Sequence, residues 1–565
     1  ARFQSLLACG GSGTGKTSLI LEPMMAKDIE KKAFYIANAK EMGYTALKTG
    51  IAVLNKPYDN EYLNKNFNLN MITPVSGKED IYKAYMKKMI LSSIGNDIVY
   101  RNLGITLITP DYESVSRIMN VCKNYHIKCN IVDPSNPNSI GLNPFVYDDP
   151  SKIAITISSV LKGMYSSNHL EKEEMYREEF IIQAVENITI MLKEMYPKMN
   201  GGKIPNLEDL LKMLTNFELV EKMCEIMRMD QELAEKYSAQ IRYFKKNFYS
   251  NSPARQETER DIYIAVAQLD NLLRLPGVKS ILCNRNNNLN FDKALKDGEI
   301  TLVCTRRGDL GRTTHKAFGL FFILSMQNAV LRREGNENSR IPNFLYIDEF
   351  PDYICKDTEA IFTVYRKYKI ATVITAQNLS QLEANAPEMK YKETILSNCA
   401  SKIFLGGVTP EEAEWWSKEF TKRRTWAYSN NMDMNKLEYD AKYGSVKYDW
   451  ESYFAANKLA AMPFKSAAVK LKTEAGKFSI GEGKMNFISS KYKEEQPMKV
   501  YNFSKFISGA TKDEDEPTKH KFDPKNVDFK DYEKDEFNPV QIDNTDVNFE
   551  FDNENAIVVD FKKKK

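Results

Sequence analysis

The sequence predicts an α/β protein built on a mostly parallel sheet, with an all-α segment inserted into it and a disordered acidic tail. Three observations carry this. Apolar runs of strand length alternate with helical periodicity on both sides of a central block, the pattern of βαβ units. Within that block, residues 150 to 285, the periodicity is almost wholly helical. From residue 511 to the end, 16 Asp and Glu accompany 10 Lys and few apolar residues, the composition of a segment that cannot bury a core.

The elements follow in order. Phe3 to Cys9 reads as a buried strand, and the run SLILEPMMAKDIEKK from Ser18 as a helix kinked near Pro23. Residues 32–103 are polar and rich in Asn, Lys and Tyr, with one helical pattern over Asp80–Ser93, and read as an insertion with little chemistry. Ile105–Thr109 is a strand stopped by Pro110, Tyr112–Tyr125 a helix, and Asn130–Val132 a strand closed by Asp133-Pro134. Asn143-Pro144-Phe145 turns the chain out of the sheet into the helical block, which Gly201-Gly202, Pro205 and Ser252-Pro253 punctuate. The sheet resumes with a strand over Glu299–Thr305, a helix over Lys316–Arg332 and a strand over Phe344–Ile347. A helix over Asp357–Tyr368 and strands over Ile370–Thr375, Lys402–Leu405 and Ala467–Leu471 complete it. The expected division is 1–149 and 286–510 as two parts of one α/β domain, 150–285 as the all-α domain, and 511–565 as the tail.

A chain of 565 residues with 42% hydrophobic and 27% charged residues is long enough for two or three domains and a large core. The net charge of +3 neither demands nor excludes a nucleic-acid partner. Eight scattered cysteines without a C-x-x-C pair point to a reducing compartment and no zinc site, and four scattered histidines form no metal cluster. No apolar run reaches the length of a spanning helix. The chain opens without Met, directly on a strand, which predicts that an N-terminal segment has been removed.

The stretch GGSGTGKT fits G-x-x-x-x-G-K-[ST] between a strand and a helix. Glycines 10, 11, 13 and 15 let the backbone fold around an anion, and the helix N-terminus adds its dipole and free donors. The candidate nucleotide contacts are Gly10, Gly11, Ser12, Gly13, Thr14, Gly15, Lys16, Thr17 and Ser18. Lys16 reaches the β/γ-phosphates of ATP, and the Thr17 hydroxyl is a ligand for Mg²⁺.

FLYIDEF, Phe344 to Phe350, is an apolar strand ending in two acids. On a strand beside the phosphate loop, Asp348 holds the Mg²⁺ water shell and Glu349 is the general base for an attacking water. Gln377, ending the next strand, places an amide near the γ-phosphate. Arg366 lies in VYRKYK, either as an arginine finger completing a neighbour's site in a ring or on a solvated face beside Lys367 and Lys369. Two stretches are candidates for nucleic acid: a basic loop over Arg306–Arg312 with Lys316, and Arg242–Tyr249, where cations alternate with aromatics. Each also reads as ordinary solvated surface.

Over most of residues 1 to 475 the chain resembles the coupling-protein ATPases of conjugation and type IV secretion, the TraG/TraD-like family. The likeness rests on GGSGTGKT, ITPDYESVSRI, DPSNPNSIGLNPF, the all-α insertion, LYIDEFP, RKYKIATVITAQNLSQL with Gln377 and Gln381, and ILSNCASKIFLGGVTPEEA. It implies a RecA-like, ATP- and Mg²⁺-dependent motor, a homo-hexamer when active, that moves relaxase-bound single-stranded DNA to a secretion channel. It also implies relaxosome proteins as partners of the all-α domain and a place on the cytoplasmic face of the inner membrane, through an anchor preceding residue 1. Arg366 falls where the family carries its trans-acting arginine. Thr109-Pro110-Asp111-Tyr112-Glu113 departs from the family's Asp-Pro-Lys-Gly-Glu turn, so no role is carried over there.

The resulting expectation is an ATP-hydrolysing coupling protein for conjugative DNA transfer. The alternatives are the channel-assembly ATPase of the same secretion systems, or a docking adaptor that turns over little nucleotide. The tail either recruits a basic relaxosome protein or keeps the chain soluble. Preference for single- or double-stranded DNA stays open, since both use basic loops and phosphate contacts.

Overall fold

A computed structural model of the chain describes residues 3, 5–37, 102–165, 172–335, 340–384, 391–430, 444–473 and 476–493, with short strands at 499–500, 518–519, 547–551 and 557–561. The helical pattern over 80–93, nearly all of the 32–103 insertion and most of the tail lie outside these residues. The described tail strands form antiparallel pairs, 499–500 with 518–519 and 547–551 with 557–561.

Nine strands form one sheet: β1 (Leu6–Cys9), β2 (Gly104–Thr109), β3 (Cys129–Val132), β4 (Ile300–Cys304), β5 (Asn343–Ile347), β6 (Ile370–Ala376), β7 (Ser401–Phe404), β10 (Ser466–Lys472) and β11 (Phe478–Lys484). Their order is β11-β10-β7-β1-β6-β5-β2-β4-β3. The seven strands from β7 to β3 are parallel, and β10 and β11 add an antiparallel edge. The fold is therefore α/β with a mostly parallel sheet, as the strand–helix alternation predicts. A separate hairpin, β8 (Lys422–Asn430) with β9 (Gly444–Ser452), has polar strands that the apolar-run reading passes over, as it passes over β11.

Both faces of the sheet are covered, and side-chain parity divides the core. Leu6 and Ala8 of β1, Phe344 and Tyr346 of β5, and Ala371 and Val373 of β6 face helices 16–37 and Tyr112–Asn124. Leu7 and Cys9, Leu345 and Ile347, and Ile374 and Ala376 face the opposite core, shared with helix Arg307–Arg332 and the all-α block. Each fully buried Leu or Ile contributes about 1.5–3 kcal/mol. All described elements from Pro150–Tyr165 to Phe291–Asp297 are helical, so the block between β3 and β4 is all-α.

Helix 16–37 is continuous past Pro23. Its first turns, Lys16–Leu21, are widened, and the Glu22 N–H reaches Thr17 O. An i→i+5 turn just before a proline relieves the ring's clash with the preceding turn, so the strain appears as a wide turn and not a break. Glu22 is buried and held by Arg117 (Nη2–Oε1 2.7 Å) and the Ser114 hydroxyl (2.9 Å), tying this helix to its neighbour.

Two helix expectations need correction. The helix expected from Lys316 begins at Arg307, with a break at Gly311 (φ 73°, ψ 170°). The helix expected over Asp357–Tyr368 is three short turns, Lys356–Glu359, Ala360–Thr363 and Tyr365–Tyr368, the last two meeting at Val364 (φ −118°).

Candidate active site

The loop from Gly10 to Gly15 leaves β1 between β6 and β7 and is packed against both. The Gly10 N–H donates to Ala376 O (3.3 Å) and the Gly11 N–H to Gly406 O (2.9 Å). A Cβ on Gly11 would lie 2.0 Å from Gly407 O, so this approach requires glycine. Gly13 (φ 77°) and Gly15 (φ 90°) take left-handed conformations, the latter at the helix N-terminus. Ser12 and Gly13 are exposed at the crest, and Ser18 is half-buried in the helix. Lys16 is buried and donates to Gly10 O (2.7 Å) and Gly11 O (3.0 Å), folding over its own loop. Burial pulls its pKa down, opposed in part by nearby acids including Asp348 and Glu349.

The acidic strand β5 is not adjacent to β1; β6 runs between them. This corrects the expectation of a neighbouring strand and explains the role of β6. Register places Ile108, Ile347 and Ile374 side by side, so the residues that follow, Thr109, Asp348 and Thr375, also lie side by side. Asp348 is buried and accepts three hydroxyls: Thr375 on Oδ1 (2.6 Å), and Thr17 (2.8 Å) and Thr109 (3.3 Å) on Oδ2. Desolvation nevertheless raises its pKa, with the Thr375 and Thr17 hydrogen bonds opposing the shift. Thr17 and Asp348 thus bring two hard oxygens together, a donor set suited to Mg²⁺.

Glu349 follows in a left-handed conformation (φ 49°, ψ 47°), uncommon outside glycine and of the kind that clusters at functional sites. Its N–H donates to the Thr375 hydroxyl (2.8 Å), which turns its side chain toward a cavity of about 250 Å³ shared with Lys16, Arg307, Arg312, Gln377 and Gln381. Gln377 Nε2 lies 3.4 Å from Glu349 Oε1, and Gln381 Oε1 accepts the Gln377 N–H (3.3 Å).

Arg307, Asp352 and His315 have places here that sequence reasoning does not give them. Arg307 Nη1 donates to Glu349 Oε2 (2.5 Å) and to Asp352 Oδ2 (3.0 Å). His315, fully buried, links Asp352 (3.2 Å) to Thr305 (3.0 Å), whose hydroxyl also meets Tyr353 (2.9 Å). Burial alone would raise the Asp352 pKa, but the His315 hydrogen bond and the charges of Arg307 and Arg312 hold it below the usual value.

The basic loop expected at Arg306–Arg312 turns its first two arginines onto acids, while Arg312 stays exposed. Arg306 makes a two-point pair with Asp133 (2.8 Å each) and stacks on Tyr112, Arg307 holds the acids, and Arg312 lines the cavity. Lys316 is half-buried on the helix. In Arg242–Tyr249 the aromatics Phe244, Phe248 and Tyr249 are core and Tyr243 is half-buried against them, while Arg242, Lys245 and Lys246 are exposed, so the cations and rings do not share one solvent face. Asp111 caps helix Tyr112–Asn124 through the N–H groups of Glu113 and Ser114, a structural use of the departing turn. Arg366 is exposed in the turn Tyr365–Tyr368 and lies apart from the cavity, and its side chain has no hydrogen bond or ion pair among the described residues.

Residues 342–463 match the family model described as the TraM recognition site of TraD and TraG. Among solved structures the chain resembles the bacterial conjugative coupling protein TrwBdeltaN70 in its unbound monoclinic form, with TM-score 0.51, 13% identity and 88% of each chain covered. TrwB in complex with the non-hydrolysable ATP analogue ADPNP gives TM-score 0.48, 14% identity and coverage of 88% and 89%. VirB4 of Thermoanaerobacter pseudethanolicus gives 0.38, 12%, and 71% and 87%. At 13% identity the likeness to TrwBdeltaN70 is one of fold. No curated protein matches the chain. Residues 342–463, which hold the acidic pair, Arg366 and Gln377, are thus the part of the chain that is similar in sequence to TraD and TraG.

Proposed function

We propose that this chain is an ATP-hydrolysing coupling protein that recruits relaxase-bound DNA and drives its transfer through a conjugative type IV secretion system. The observation that carries the reading is that Lys16, Glu349 and Gln377, drawn from three separate strand ends, line one cavity, with Thr17 next to Lys16 hydrogen-bonded to Asp348 next to Glu349. The match over 342–463 and the TrwB-like fold support the coupling-protein role.

On this reading Thr17 and Asp348 hold Mg²⁺, which when bound neutralises phosphate charge. Lys16 exchanges its two loop carbonyls for phosphate oxygens of ATP. Glu349 accepts the proton of the attacking water, and Gln377, between Glu349 and the loop, senses the terminal phosphate. Arg366, free on the surface, completes the site of the next subunit in a hexamer. The motor comprises 1–149 and 286–510, and the all-α block 150–285 meets substrate. Relaxosome proteins, including a TraM-type partner, and channel components are its contacts at the membrane; no helix among the described residues is long and apolar enough to cross one.

The test is steady-state ATP hydrolysis during titration with single-stranded and duplex DNA, with Glu349→Gln as the blank. We expect DNA to stimulate a rate that the blank lacks, the stronger stimulator marking the track. Hydrolysis indifferent to DNA, or none, would reject the translocase in favour of a channel-assembly ATPase or a docking adaptor.

A further inference from the structure

We propose that Arg307 is an internal competitor for Glu349: its guanidinium holds the carboxylate while the site lacks a triphosphate and transfers to the terminal phosphate when one enters. This rests on the nucleotide reading above and deepens it.

The first ground is occupancy. Both oxygens of Glu349 are engaged, Oε2 by Arg307 (2.5 Å) and Oε1 by Gln377 (3.4 Å), so the carboxylate is tied to the protein and not poised over a water. A general base must be within hydrogen-bond reach of the proton it takes. The second ground is an incomplete fork. Only Nη1 of Arg307 makes hydrogen bonds, shared between Glu349 and Asp352, and the rest of the guanidinium has no partner among the described residues. A planar five-donor group that uses one nitrogen keeps the two-point capacity that suits a phosphate.

Charge and hinge geometry point the same way. Lys16, Arg307 and Arg312 face Glu349 and Asp352 around the same cavity, with Asp348 buried beside it on the Thr17 and Thr375 hydroxyls. A terminal phosphate adds negative charge and competes for the cations; Arg307, with a side chain 42% exposed, gives up its present partners at little desolvation cost. The backbone permits a local move. Arg306 is pinned to Asp133 in a left-handed conformation, Gly311 breaks the helix with open space around it, and the single turn between them carries Arg307. A static brace between the ends of β4 and β5 would use the same ion pair, and binding experiments separate the two.

The experiment measures equilibrium binding of a non-hydrolysable ATP analogue and of ADP, each with Mg²⁺, to the full chain and to Arg307→Ala, Arg307→Lys, Glu349→Gln and the Arg307→Ala/Glu349→Gln double variant. We expect Arg307→Ala to lose roughly 10–100-fold in affinity for the triphosphate analogue with ADP unchanged. Arg307→Lys should show a smaller loss confined to the triphosphate, and serves if the alanine variant does not fold. Glu349→Gln should bind the triphosphate more tightly than the unaltered chain, and that gain should vanish in the double variant. Equal losses for both nucleotides, no loss for either, or a gain that survives without Arg307 would overturn the proposal and leave a brace. Failure of the unaltered chain to bind either nucleotide would overturn the nucleotide reading and the competitor together.

Discussion

Thr375 donates its hydroxyl proton to Asp348 Oδ1 at 2.6 Å, and the Thr375 hydroxyl oxygen accepts the Glu349 N–H at 2.8 Å. One side chain on β6 therefore orients both acids of β5. Thr375→Val keeps the shape and removes the hydroxyl, leaving buried polar groups short of a partner. We expect a loss of about 1–3 kcal/mol in stability and a fall of roughly 10–100-fold in kcat, with KM changed much less. Denaturant unfolding and steady-state kinetics on one preparation check both.

Asp348 carries the opposite balance. Burial raises its folded pKa, so between the unfolded and folded values the folded state binds more protons, and stability falls as pH rises through that window. Asp348→Asn should remove that decline while abolishing hydrolysis, because a neutral amide needs no charge in the core. The difference in thermal midpoint between variant and parent, measured without nucleotide, should grow as pH rises above the ordinary carboxylate range. A constant difference across pH would argue against the burial account.

Gly11→Ala tests the packing of the phosphate loop on the Gly406-Gly407 turn. The new Cβ has a backbone carbonyl 2.0 Å away, so the loop itself must shift. We expect roughly tenfold weaker nucleotide binding or worse, with a stability cost of about 1–3 kcal/mol. Calorimetric titration with ADP and a thermal melt read the two effects separately.

Arg366→Ala should leave the isolated chain within about 0.5 kcal/mol of its parent, since the side chain is exposed and unpartnered among the described residues. Hydrolysis that depends on assembly should nonetheless be lost. Mixing Arg366→Ala with Glu349→Gln chains should restore part of it, because each supplies the half that the other lacks. Absence of any restoration would place Arg366 on an ordinary solvated surface.

Much of this site is legible in the sequence because its elements are local. A glycine-rich loop between strand and helix, and a strand ending in two acids, are patterns of a few adjacent residues. Thr109 and Thr375 were not legible, since their use follows from strand order: each is one step beyond an Ile that lies in register with Ile347. The inward turn of Arg306 and Arg307 was hidden for a related reason, as Asp133, Glu349 and Asp352 are brought to them by other strands. In Arg242–Tyr249 composition suggested a nucleic-acid track, and helical periodicity, which sends Phe244 and Phe248 inward, was the better guide. Strands β8, β9 and β11 lack the apolar runs that mark the parallel strands, because each lies at an edge or in a two-stranded ribbon.

The position of β1 in the sheet has a consequence for how the chain is made. β1 leaves the ribosome first among the sheet strands, yet both of its neighbours, β6 and β7, are synthesised about 360 residues or more later. At about 5–20 residues per second, roughly 20–70 s pass before either edge of β1 can be paired. Throughout that interval the all-α block can fold as a local unit, while the nascent phosphate loop lacks the strand that gives it shape. Vectorial synthesis therefore delivers the helical block before the catalytic centre, and the earliest segment of the site is the one that depends longest on protection from solvent and from other chains.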